Sequence, residues 1–269
     1  MKKKNLHFRF FILSFLLTFG IVTAAGFLLL MSFLHPRPVQ ETVSDIPKAR
    51  RDADESFTVL AVGYTRQEPQ NAVFFLFRLD APSWTLRVAA LDPETVIDTR
   101  PGRETVAETL TYAGASGLKE RLAEVLQIPV DRVIRMEESG FASLIDRAGA
   151  VRLTLTESVE HIDENGVTDF LLGAGERLLT GEKLCGVIRY GNRLSLSAEA
   201  FGSALRQIAA GGESDAEALF SLVCDLSDSD LSVMDFAARR SVLTDCLTDP
   251  PVLQVIDDLA QDRRAFGAQ

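Results

Sequence analysis

Histidine is scarce in this 269-residue chain, with only three, and two of them (His7 and His35) flank an apolar N-terminal stretch. His161 is left alone in the body, so HExxH zinc chemistry is excluded and a His-centred catalytic triad is not expected. Cysteine is equally sparse. Cys185, Cys224 and Cys246 show no CxxC spacing, which removes zinc ribbons and thioredoxin-type redox pairs. A Cys224–Cys246 bridge remains open, although scattered cysteines are more often ordinary buried residues. No GxGxxG, GxxxxGK[ST] or GxSxG occurs, and Gly114-Ala115-Ser116-Gly117 has the wrong spacing for the last, so nucleotide-binding and serine-hydrolase readings fall away.

Acid is missing from the first 34 residues, which carry the cations Lys2, Lys3, Lys4 and Arg9. The rest of the chain therefore holds 24 of the 28 Lys and Arg against all 38 Asp and Glu, a formal charge of −14. Such a surface repels phosphate backbones, and no nucleic-acid partner is expected. With 46% apolar residues, a body of this size can bury a full core.

Charge is also absent from Phe10 to Leu34. A helix over that stretch would reach about 37 Å, more than the roughly 30 Å hydrocarbon layer. The preceding cations and the following Glu41 and Asp45 predict an N-terminus in the cytoplasm and a body outside, as a single-pass membrane protein. The apolar run is too long for a cleaved signal peptide, so an uncleaved anchor is expected. Residues 1–35 are thus read as cytoplasmic tip and transmembrane anchor, and 36–56 as a polar tether.

The body begins with Phe57–Val62, Val73–Leu79 and Leu86–Leu91, three runs with the β-branched and aromatic content of neighbouring strands. Helical spacing follows from Ser116, a candidate cap, through Leu118, Leu122 and Val125, ending before Pro129. A strand at Val133–Met136 leads to a helix carrying Phe141, Leu144, Ile145 and Ala148, which Gly149 closes. Val151–Leu155 alternates as a strand, and Asp163-Glu164-Asn165-Gly166 holds a hairpin turn. Thr180-Gly181-Glu182 opens a helix towards Arg189, and Leu196–Ala210 is another. This interleaving predicts an α/β layered sandwich, a central mixed sheet covered by helices, over residues 57–211. Residues 212–269 read as a helical appendage, with Val252, Val255, Ile256 and Leu259 on one helix face behind Pro250-Pro251.

Arginines near the ends of these elements, Arg66, Arg78, Arg189 and Arg193, are candidates to clamp a phosphate, and Asp92 and Glu94 to hold a divalent cation. Trp84 is expected to pack on a strand edge rather than stack on sugar, and His161 to be a hairpin residue.

From Phe57 to about Ala210 the order of segments resembles the LytR-CpsA-Psr family of bacterial envelope proteins. The resemblance rests on Val59-Leu60-Ala61-Val62-Gly63, on Leu79-Asp80, and on Leu126-Gln127-Ile128-Pro129-Val130-Asp131. It continues in Gly140-Phe141 with Leu144-Ile145-Asp146 and Gly149-Ala150-Val151, and in Leu179-Thr180-Gly181-Glu182 followed by Val187-Ile188-Arg189. It implies a phosphotransferase that moves a glycopolymer from a polyprenyl diphosphate carrier to peptidoglycan. The lipid would lie in an apolar slot, with Mg²⁺ on the diphosphate and arginines around it.

The chain departs from that pattern where charge is needed. Gln70-Asn71-Ala72-Val73 stands where the family has Arg-Ser-Asp-Thr, and Asp92-Pro93-Glu94-Thr95 where it has Pro-Arg-Asp-Thr. The family's Lys-Asn pair is absent near Thr105–Ala107. Arg189 survives in the later Val-Arg-x-Arg element, its partner position is Gly191, and Arg193 is a displaced substitute. These departures lead us to expect a protein that binds a polyprenyl-phosphate-linked glycopolymer with reduced or no catalysis. Two alternatives stand beside it: an active transferase using the four arginines with Asp92 and Glu94, and an envelope protein-interaction module working through the helical tail.

Overall fold

The computed structural model describes residues 51–66, 71–98, 103–211, 215–259 and 262–267. The expected anchor and residues 36–50 of the tether lie outside the described residues. Among those described, no helix is long and apolar enough to cross a membrane.

The strands are β1 (Phe57–Tyr64), β2 (Val73–Asp80), β3 (Thr85–Leu91), β4 (Val96–Asp98) and β5 (Arg103–Thr105), followed by helix α1 (Val106–Leu126), β6 (Arg132–Glu137) and α2 (Glu138–Ala148). Then come β7 (Val151–Leu155), β8 (Val159–Ile162), β9 (Thr168–Leu172) and β10 (Gly175–Leu179), and the helices α3 (Gly181–Tyr190), α4 (Leu194–Gly211) and α5 (Ala216–Leu226). These are followed by β11 (Ser227–Ser229), α6 (Val233–Thr248) and β12 (Val252–Val255), and then by a 3₁₀ turn at Arg263–Phe266. Six strands form one mixed sheet in the order β11-β6-β1-β2-β3-β12, with β1/β6 and β3/β12 parallel and the other pairs antiparallel. The expected α/β sandwich with a central mixed sheet is therefore present.

Strand alternation divides the core into two layers. On one face Leu60, Val62, Phe74, Leu76 and Ala89 pack on Leu118 and Leu122 of α1. On the other, Phe75, Val88 and Met136 meet Leu144 and Ile145 of α2, Val187 and Ile188 of α3, and Phe201 and Ala204 of α4. Phe75 stacks on Phe201 with centroids 4.3 Å apart. Each such side chain, fully buried, contributes about 1.5–3 kcal/mol. Two glycines set the spacing of this layer. A Cβ on Gly202 would lie 2.4 Å from Leu253, and one on Gly181 would lie 2.2 Å from the carbonyl oxygen of Ala142. Gly181 also donates its N–H to Asp146 at 2.7 Å, tying the start of α3 to α2.

Three expectations are corrected. The first helix starts ten residues before Ser116, at a Thr105–Glu108 capping box, and Gly114 with φ 71° breaks it midway. Residues 252–255 form an edge strand paired with β3 rather than a helix, because Val252 and Val255 are β-branched and find an open neighbour in the sheet. With β11 adding the opposite edge, the C-terminal segment completes the sheet and is not a purely helical appendage. The three cysteines are free.

Candidate functional site: a two-chambered apolar slot

Between the sheet and helices α2 to α5 lies a partly open apolar cavity of about 120 Å³. Ala61, Val73 and Phe75 of the sheet form its floor, and Phe141, Leu144, Ile188 and Phe201 its roof. A second cavity, about 240 Å³, adjoins it. Phe77, Ile134, Leu205, Ile208 and Val223 line both, so the two are chambers of one slot with these residues at the neck. The slot runs from the C-terminal end of β1, where Gly63 and Tyr64 lie, to its N-terminal end at Phe57.

The upper mouth carries charge. Arg189 lines the chamber and donates to Glu138 at the first position of α2. One residue earlier, Glu137 pairs with Arg66 at 2.8 Å. Parallel pairing of β1 with β6 sets Tyr64 opposite Glu137, which brings both ion pairs to one end of the sheet. The guanidinium of Arg135 lies over the Tyr64 ring at 4.6 Å, and its buried Nε has no hydrogen-bond partner among the described residues. Sequence reading passed over Arg135, which sits inside a short strand. Only the pairing of β6 with β1 brings it to the ring of Tyr64.

The other candidates are elsewhere. Arg78 shares the sheet face of Phe74 and Leu76, donates to Thr58 at 3.0 Å, and lies opposite Thr58 at the far end of β1. It is on the α1 side, away from the slot. Arg193 bonds the Thr156 hydroxyl at 2.8 Å, stands 3.6 Å from Glu157, and lines neither chamber. The four arginines therefore do not converge: Arg189 and Arg66 share one end of the sheet, while Arg78 and Arg193 are held apart by their own partners.

Asp92 and Glu94 follow β3, both exposed, and Asp92 accepts the N–H of Glu94 at 2.9 Å. Neither lines the slot, and among the described residues no group of three His, Cys, Asp or Glu is placed to hold a metal. Mg²⁺ is typically held by one or two carboxylates together with phosphate oxygens. On this geometry the pair does not bring the ion to the slot.

Cys185 also lines the upper chamber, but burial, with Asp146 and Glu182 adding to it, pushes its thiol up to about 12. It is a packing residue rather than a nucleophile. Trp84 is buried, donates to the Asp249 carbonyl at 2.7 Å and lies under Arg51, so it offers no face to a sugar. His161 lies in β8 of the expected hairpin, 2.6 Å from Asp169 and stacked on Tyr190 at 4.0 Å.

At the lower chamber Arg132 binds Asp235 through Nε at 2.9 Å and through a second nitrogen. Burial opposes ionisation of Asp235, but bonds from Arg132 and Ser232 outweigh it and hold the carboxyl down at about 2.

No protein-family model and no curated protein sequence matches the chain. Solved structures do. One is a Eubacterium siraeum protein described as a transcription regulator, with TM-score 0.69 and 18% identity over 82% of this chain and 94% of that one. Another is Bacillus subtilis TagV, with TM-score 0.56 and 14% identity over 75% and 84%. A third is the LytR-CPS2A-psr family protein YwtF (TagT) of B. subtilis with bound octaprenyl pyrophosphate lipid, at TM-score 0.52 and 18% identity over 76% and 78%. The body has the LytR-CpsA-Psr fold. At this identity the likeness establishes the architecture, and the chemistry of the LytR-CpsA-Psr-like slot rests on the residues that line it.

Proposed function

We propose that this chain is a membrane-anchored, extracytoplasmic LytR-CpsA-Psr protein that holds a polyprenyl-(di)phosphate-linked glycopolymer, with catalysis reduced or lost. The observation that carries the reading is the apolar slot with Arg189 at its upper mouth. An apolar channel accepts a long isoprenoid from lipid without exposing it to water, and a guanidinium at the mouth suits its phosphate. TagT structures with octaprenyl pyrophosphate and with LIIa-WTA support the ligand class. The apolar N-terminal run supports an anchor in the bacterial cell membrane with the N-terminus in the cytoplasm.

Reduced catalysis follows from the charge at the mouth. At that end of the sheet Arg189 faces Glu138 and Arg66 faces Glu137, so both of these guanidiniums are already compensated, and of the three arginines there only Arg189 lines the slot. A developing diphosphate leaving group needs uncompensated donors, and one missing donor costs roughly 10² to 10³ in rate. The full-length chain in detergent tests the reading. It should bind a polyprenyl diphosphate and show no transfer of the linked glycan to peptidoglycan above the uncatalysed rate. Failure to bind contradicts the proposal. Turnover abolished by Arg189→Ala would establish the active transferase instead.

A further inference from the structure

The lower chamber is apolar along most of its wall, yet three arginines line it, Arg132, Arg206 and Arg239, against two acids, Asp131 and Asp235. The acids are already supplied with donors. Asp235 accepts Nε of Arg132 and the N–H of Ser232, each at 2.9 Å, together with the Ser232 hydroxyl. Asp131 accepts the N–H of Thr58 at 2.7 Å.

The arginines are not equally supplied with acceptors. Arg132 is spent on Asp235 and on the Asp131 carbonyl, 2.7 Å away. Arg239 approaches Asp235 no closer than 3.6 Å, and its guanidinium lies 5.4 Å from the Phe57 ring at the start of β1. Its buried Nε has no hydrogen-bond partner among the described residues. Arg206 is exposed and has no ion-pair partner among them. A buried N–H beside an apolar space is costly unless something enters to accept it.

The spare donor and the spare charge specify a head group. One surplus positive charge suits a monoanion, and the Nε edge of a guanidinium matches the two oxygens of a carboxylate. A phosphate dianion would exceed that surplus while facing Asp131 and Asp235. The space specifies a tail. From Phe57 to the neck at Ile134, which pairs with Ala61, is four residues along β1. At roughly 3.3 Å each this is about 13 Å, the reach of an extended chain of about ten carbons. The chamber is partly open, and Leu219, Phe220, Leu243 and Leu247 along it are only half-buried, so an alkyl chain can enter.

We infer that the lower chamber is a site for a single-chain fatty acid, its carboxylate on Arg239 and its alkyl chain running up to the neck. The site goes beyond the polyprenyl reading and does not require it, and no head group crosses the neck. Where both ligands bind, an occupied lower chamber leaves an isoprenoid only the upper one, so the acid excludes long carriers and spares short ones.

Photolabelling tests the site. The full-length chain in nanodiscs is irradiated with decanoate that carries a diazirine near the end of its chain, and adducts are located by mass spectrometry of the digest. They are expected on Leu205, Ile208 or Val223 at the neck, and should fall by about 10-fold in Arg239→Gln. The matching diazirine alcohol should also give about 10-fold fewer, a comparison on the wild type that decides the matter even where the variant fails to fold. Leu243→Trp, which fills the chamber and keeps the guanidiniums, should remove the adducts as well. Equal labelling by acid and alcohol, or unchanged labelling of a folded Arg239→Gln, overturns the inference. So do adducts confined to Leu144 of the upper chamber, or to Phe57 and Leu247, where the tail rather than the head would lie at the lower end. Failure of polyprenyl diphosphate to bind, with acid adducts still at the neck, would contradict the ligand reading above and leave this site standing.

Discussion

Arg189 in the last turn of α3 donates to Glu138 in the first turn of α2, and the pair stands at the upper mouth of the apolar slot. The two helices that roof the slot are thus joined by the group best placed to meet a phosphate. Glu138 competes with any anionic ligand for that guanidinium. Glu138→Gln should therefore tighten polyprenyl diphosphate binding by about 5- to 10-fold, and Arg189→Ala should weaken it by about 10- to 100-fold. Titration calorimetry on the two variants checks the opposite signs.

Gly181 places α3 against α2. A methyl group there would press on the backbone of Ala142 at 2.2 Å, which neither helix relieves by a side-chain rotation. Gly181→Ala should cost about 1–3 kcal/mol of stability by overpacking. Because the same two helices carry Arg189 and Glu138, it should also weaken ligand binding, which thermal denaturation and titration would show together.

The neck offers a separation of ligand lengths. Leu205 lines both chambers on the helix side, and Leu205→Trp should obstruct passage between them. Filling existing empty space carries less strain than enlarging a residue in a closed core, so melting should change little. Binding of a long polyprenyl phosphate should fall by about 10-fold or more, while a short prenyl phosphate that occupies only the upper chamber should be retained. Equal losses for both lengths would mean that the chambers do not act in series.

Acid stability tests the lower end. The Asp235 carboxyl is held at about 2 in the fold, below the roughly 3.9 of an unfolded chain. A depressed acid contributes stability that is fully present above its unfolded value and is lost as pH falls through its folded one. The window is therefore pH 4 to 2, with a contribution on the order of 2 kcal/mol. Melting temperature should drop more steeply across that window in the wild type than in Asp235→Asn, which starts lower and has less to lose.

The layered fold was legible because its signals are local. Val73–Leu79 is apolar on both faces, as a strand covered on both sides must be, and the helices behind Gly181 and Leu194 carry clean apolar spacing. The edge strand at Val252 was misread because Pro250-Pro251 followed by spaced apolar residues fits a helix start equally well. Only the vacant edge of β3 decides between them. The early part of α1 was missed although Thr105 and Glu108 spell a capping box, since Gly114 interrupts the periodicity.

At the site, the sequence pointed to Arg189 and to an apolar slot, and could not sort the other arginines. Arg78 differs from Phe77 by one residue and hence by a whole sheet face. The glutamates that neutralise Arg66 and Arg189 come from the β6–α2 junction, some seventy and fifty residues away in sequence from their partners. No spacing rule joins them; the parallel pairing of β6 with β1 does.

A structure of the chain bound to a long-chain polyprenyl diphosphate tests the central claim most directly. The isoprenoid should thread both chambers past Phe77 and Leu205, with its first phosphate within hydrogen-bonding reach of Arg189. A ligand bound outside the sheet–helix layer, with both chambers closed by side chains and Arg189 still locked on Glu138, would contradict it.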